Sequence, residues 1–90
     1  MEKAQWLYEK AKQSPNNFKF SDVCSLLELI GYRFKRIKGG HHIYRNENIE
    51  GREGLMSVQN YYGKAKAYQV RQVIRLIERH GLLEGDGDNV

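Results

Sequence analysis

Two adjacent glycines, Gly39 and Gly40, separate two runs of β-forming and basic residues, Tyr32–Lys38 and His41–Asn46. A tight two-residue hairpin needs backbone with positive φ, which glycine adopts without steric penalty. The pair therefore predicts an antiparallel hairpin near the middle of the chain. With 90 residues there is material for one core, so the remaining segments must cover the sheet that this hairpin begins.

The flanking segments supply that cover. Residues 2–13 read as a helix with Ala4, Leu7, Tyr8 and Ala11 on one stripe. Ser14-Pro15-Asn16-Asn17 ends it, because a residue preceding proline is pushed out of the α region. Ser21 is the expected N-cap of a second helix carrying Val23, Leu26, Leu27 and Ile30, closed by Gly31. After the hairpin, Asn46–Glu53 reads as a loop, Leu55–Gln59 as a third strand and Asn60–Lys66 as a basic, aromatic connector. A last helix is expected over Ala67–His80, with Val70, Val73, Ile74 and Ile77 on its apolar stripe.

The order helix, helix, three strands, helix predicts an α+β fold. In it a three-stranded antiparallel sheet is covered on one face by two helices, with the N-terminal helix added through Trp6 or Leu7. We expect one domain over residues 1–83, residues 1–14 being the appended helix, and a flexible tail over 84–90. Strand alternation poses a question: His41, Ile43 and Arg45 share one face, His42 and Tyr44 the other. If Ile43 faced the helices, His41 would point inward with it.

Fifteen basic against eleven acidic residues give a net charge of +4, which favours an anionic partner: nucleic acid, an acidic protein or a membrane surface. Cys24 is the sole cysteine, which excludes an intramolecular disulfide and a cysteine-based metal site. No apolar run reaches the length of a membrane span, and the first residues lack the layout of a signal peptide, so the expected location is the cytoplasm.

The candidate chemistry centres on the hairpin. His41 and His42 are bracketed by Lys38 and Arg45. An imidazole can take or give a proton near neutrality, and cations stabilise the charge that develops when a ribose 2′-hydroxyl attacks its own phosphate. Either histidine fits the role of base or acid, and His42 is also a candidate RNA-binding residue. Lys38, Arg45, Lys64 and Lys66 are the candidate phosphate ligands, and the bare backbone at Gly39-Gly40 allows close approach of a phosphate. The plain alternative is a pair of surface histidines after a turn. A metal site is not expected, since adjacent histidines on a strand point apart. Cys24 reads as a small buried residue of a helix. The run Tyr61-Tyr62-Gly63-Lys64-Ala65-Lys66-Ala67-Tyr68 interleaves aromatics with lysines, a pattern that stacks unpaired bases or packs the rim of a core. Arg71, Arg75 and Arg79 form a basic ridge that is more simply a solvated helix face.

These motifs, in this order, resemble the HicA (YcfA-like) toxin family. Gly39-Gly40-His41-His42-Ile43-Tyr44 matches its Gly-Gly-His hairpin, and Leu26-Leu27-Glu28-Leu29-Ile30-Gly31-Tyr32 its leucine-rich helix ending in Gly-aromatic. Ser14-Pro15, Phe18 and Lys66-Ala67-Tyr68-Gln69-Val70-Arg71 are similar to a branch with an extra N-terminal helix. The resemblance spans about residues 14–83. Where many members carry Pro-x-His, this chain has Gln59-Asn60-Tyr61-Tyr62, so a second family histidine is not transferred. The resemblance implies a fold similar to the double-stranded RNA-binding domain and a toxin of a type II toxin-antitoxin system. It further implies a bacterial, metal-independent mRNA interferase that needs no cofactor, with His41 as the catalytic residue. The implied partners are mRNA and a HicB-like antitoxin, with DNA reached only through the toxin-antitoxin complex. The competing reading is a non-catalytic RNA-binding or protein-interaction module on the same fold.

Overall fold

The computed structural model describes residues 2–83. Helix α1 (Lys3–Gln13) leads through a 3₁₀ turn (Pro15–Asn17) to α2 (Phe20–Leu29). Strands β1 (Arg33–Lys38) and β2 (His41–Arg45) form the hairpin. A 3₁₀ turn (Gly51–Gly54), β3 (Leu55–Tyr61), β4 (Lys64–Ala65) and α3 (Ala67–His80) follow. The expected tail at 84–90 lies outside the described residues.

The sheet is antiparallel in the order β1-β2-β3-β4, so it has four strands and not the three expected from the sequence. The stretch read as a connector is itself a hairpin. β3 runs on to Tyr61, Tyr62 and Gly63 make the turn at φ 52° and 86°, and Lys64-Ala65 returns. A tyrosine at the first turn position is not a turn signal, which is why the sequence hides this element. The Gly39-Gly40 turn behaves as expected, with φ 56° and 82° and a clean return into β2.

Helix α2 also begins two residues earlier than a cap at Ser21 would place it. Lys19 is the cap residue and no side chain caps the helix. Strand-like pairing sets this start instead: Lys19 bridges to Lys64, Phe20 N donates to Gly63 O, and Ala65 N donates to Phe18 O. At the other end, α3 stops as expected at Gly81, in the left-handed conformation at φ 60°.

One buried cluster holds the elements together. Tyr44, Met56 and Val58 come from the sheet; Val23, Leu26 and Leu27 from α2; Val70, Val73, Leu76 and Ile77 from α3. Ala4, Leu7 and Ala11 of α1 belong to the same cluster, so Leu7 anchors that helix. Trp6 stays half-exposed, with the Lys10 ammonium 4.8 Å from its ring centroid. Two polar anchors close the far end. Tyr32 is buried, its hydroxyl donates to Glu53 O at 2.7 Å, and burial pushes its pKa up to about 12. Glu53 in turn meets His80 Nε2 at 2.7 Å and Arg79 at 3.5 Å, which ties the end of α3 to the loop before β3.

Candidate RNA-cleavage site

Strand register decides which side chains can act together, because directly opposed residues share a face. Tyr44 pairs with Met56 and His42 with Val58, and this is the face turned to the helices. His41, Ile43 and Arg45 therefore lie on the open face, opposite Gln59, Ser57 and Leu55. The alternation question is answered by Tyr44, which takes the core position that Ile43 would have filled. Ile43 is half-buried on the outer side, and His41 escapes the core without any irregularity in β2.

His41 is held by a neighbour on the next strand. Its Nδ1 lies 3.0 Å from Ser57 Oγ, and its Nε2 has no protein partner among the described residues. The ring borders a cleft of about 350 Å³ that reaches Ile43, Ser57, Tyr68 and Gln69. Gln69 is buried, and its Oε1 accepts from Gln59 N at 3.0 Å. Its Nε2 donates to the Tyr68 hydroxyl at 3.2 Å. The first turn of α3 is thereby fixed beside β3, within the stretch of sheet that carries His41.

The cations expected around His41 are distributed unevenly. Lys38 pairs directly with His41 across the turn and is exposed, and Arg36 pairs with Ile43 on the same face. Arg45 shares the row, partly neutralised by Glu47 at 3.7 Å. Gly39 and Gly40 have open space where a side chain would stand, so their backbone is accessible. Lys64 and Lys66 sit apart from the row, around the β3–β4 hairpin: Lys64 Nζ donates to Asn17 Oδ1 at 3.1 Å and Lys66 precedes α3.

His42 does not join His41. It points to the helix side, where its ring meets Phe20 edge-on at 4.9 Å and lies near Phe34, with Nδ1 buried. Cys24 is half-buried in α2, and burial raises its thiol pKa above the ordinary value. Among the described residues no group of three or more His, Cys, Asp or Glu is placed to hold a metal ion. Arg71, Arg75 and Arg79 are exposed on α3, and Arg79 is engaged with Glu53. No helix among the described residues is long and apolar enough to cross a membrane.

Ser57 and Gln69 were not singled out from the sequence. Ser57 becomes a neighbour of His41 only once the β2–β3 register is known. Gln69 carried a usable sign, being a glutamine next to Val70 on the apolar stripe of an amphipathic helix.

Residues 20–78, well over half of the chain, match the family described as HicA toxin of bacterial toxin-antitoxin. The chain belongs to the HicA toxin family. The match begins at the first residue of α2 and runs into the last turn of α3, so it contains the Gly39-Gly40 hairpin, His41, Ser57 and the Tyr68-Gln69 pair. Helix α1 lies outside the matched residues, yet it contributes to the buried cluster. No curated protein and no solved structure matches the chain. Membership of the HicA family makes this chain the toxin type of a toxin-antitoxin pair and implies a cognate antitoxin.

Proposed function

We propose that this HicA-family chain is a metal-independent endoribonuclease, an mRNA interferase that cuts RNA and arrests translation until a HicB-type antitoxin covers the open face of its sheet. The observation that supports this most directly is the disposition of His41. One ring nitrogen is fixed on Ser57, the other is free, and Lys38 and Arg36 flank the same face.

The chemistry follows from that disposition. With Nδ1–H donating to Ser57 Oγ, the lone pair of His41 Nε2 takes the proton of a ribose 2′-hydroxyl. The 2′-oxygen attacks the adjacent phosphorus, and the bond from phosphorus to the 5′-oxygen breaks. The imidazolium that forms still donates Nδ1–H to Ser57, so the ring keeps its orientation in both protonation states. Lys38 and the backbone N–H groups of the Gly39-Gly40 turn stabilise charge on the phosphate oxygens. Water protonates the leaving 5′-oxygen, and the imidazolium gives its proton back to solvent, which restores neutral His41. Arg45, Lys64 and Lys66 hold the strand to either side, while His42 supports the hairpin from beneath by packing on Phe20.

The products test the mechanism. Single-stranded RNA incubated with purified protein and a strong chelator is expected to yield 2′,3′-cyclic phosphate and 5′-hydroxyl ends. Fragments with 5′-phosphate ends, or activity abolished by the chelator, would refute it. RNA bound with ordinary salt dependence but never cut would favour the non-catalytic module.

A further inference from the structure

The β3–β4 hairpin carries a backbone feature that its packing does not explain. Tyr62 has φ 52° and is the one non-glycine residue in the left-handed region among the described residues. A Cβ-bearing residue is disfavoured there, a bulky one especially, and asparagine or glycine is the usual occupant of this turn position. Burial does not compensate, because Tyr62 is 91% exposed. The turn is nevertheless held firmly. Gly63 N donates to Asn60 Oδ1 at 2.7 Å, Gly63 O accepts from Phe20 N, and Lys64 Nζ reaches Asn17. A strained residue kept by a rigid surround, with its side chain in solvent, points to a role outside folding.

The surroundings identify the ligand chemistry. Tyr61, 57% exposed, stands edge-on to Tyr62 with ring centroids 4.8 Å apart. The Lys66 ammonium is 5.8 Å from the Tyr61 ring centroid, and Lys64 and Lys66 border a hollow of about 480 Å³ that also includes Tyr61 and Asn16. Exposed aromatic rings beside lysine ammonium groups suit unpaired bases joined by phosphates. The location fits as well. Gln59 is the register partner of His41, and Tyr62 follows it by three residues along the chain, about 10 Å of extended strand. Both hairpin turns lie at the same end of the sheet.

We propose that Tyr62 and Tyr61 form a stacking platform for unpaired RNA bases next to the His41 site, with Lys64 and Lys66 holding the accompanying phosphates. The platform adds base stacking to the phosphate contacts of the proposed RNA site. The proposal rests on the nuclease reading for what happens to the bound strand, but not for the binding itself.

The test uses full-length His41→Ala protein, so that RNA is not consumed, and a fluorescent single-stranded oligoribonucleotide of mixed sequence against its fully paired duplex. Adding Tyr62→Asn is expected to weaken single-strand binding by about tenfold and leave duplex binding unchanged. The slope of affinity against salt should stay the same, whereas Lys64→Ala should make it shallower. Because asparagine suits the turn, the melting temperature should hold or rise, which separates lost binding from lost folding. Equal single-strand affinity with and without Tyr62→Asn overturns the platform. So does an equal loss on duplex. Cleavage by the His41-containing protein is followed in parallel: no cutting refutes the nuclease reading, while the binding comparison still decides the platform.

Discussion

The Nδ1 of His41 and the Oγ of Ser57 lie 3.0 Å apart, a diagonal pair across β2 and β3 on the open face of the sheet. A hydroxyl oxygen accepts from Nδ1–H whether or not Nε2 carries a proton, so Ser57 can hold the imidazole in both states. On the proposed mechanism Ser57 is a positioning residue. Ser57→Ala is expected to lower kcat roughly tenfold or more while KM changes little, because the base is present but no longer aimed. Ser57→Thr should recover most of the rate, and the pH profile of kcat should shift in the alanine variant alone. Steady-state kinetics on a short RNA across pH checks all three; an unchanged kcat and profile in Ser57→Ala would remove Ser57 from the site.

Gly54 is required by close approach. A Cβ there would meet Ile49 O at 2.2 Å and Asn46 O at 3.1 Å, at the point where Asn46 N donates to Gly54 O at 2.7 Å. Backbone cannot yield as a flexible side chain does. Gly54→Ala is expected to destabilise the fold by about 2 kcal/mol, in the range of overpacked interiors. Denaturant unfolding measures it, and a loss within error of zero would contradict the packing described for this loop.

Helix α1 falls outside the residues that match the family, but Leu7 is fully buried in the common cluster. Leu7→Ala should therefore destabilise the whole protein by about 2–5 kcal/mol, as buried leucine truncations do. Trp6→Ala, at a half-exposed position, should have a much smaller effect. Equal effects in equilibrium unfolding would show that α1 is not integral to the core.

Alkaline stability has a definite sign. Burial raises the Tyr32 pKa from 10.0 to about 12, so the folded state holds this hydroxyl neutral after the unfolded chain has begun to lose its proton. Its contribution is complete below pH 10 and is lost as pH rises toward 12. Tyr44 shifts in the same direction, again chiefly through burial. Tyr32→Phe is expected to flatten the fall in stability over this window, and to cost about 1 kcal/mol at neutral pH through the lost bond to Glu53 O. Unfolding followed from pH 8 to 12 checks both effects.

Most of the architecture could be read from local signals. The glycine pair fixed the hairpin, and the stripes over Val23–Ile30 and Val70–Ile77 marked the helices. What escaped was information carried between elements. The β3–β4 hairpin was hidden because Tyr62 occupies a turn position that local preference assigns to asparagine or glycine. The start of α2 was displaced from Ser21 because pairing of Lys19 with Lys64 sets it. At the site, His41 was visible as a residue, but its orientation was not. That depends on Tyr44 and not Ile43 filling the core, and Ser57 enters only through register.

The most direct test of the account is RNA cleavage by His41→Ala beside wild type, in purified form and in a bacterial culture on induction, at matched protein levels and with matched unfolding curves. The account predicts that wild type fragments RNA and arrests growth, whereas His41→Ala is folded, harmless and without detectable cleavage. Cleavage by His41→Ala at the wild-type rate would contradict it.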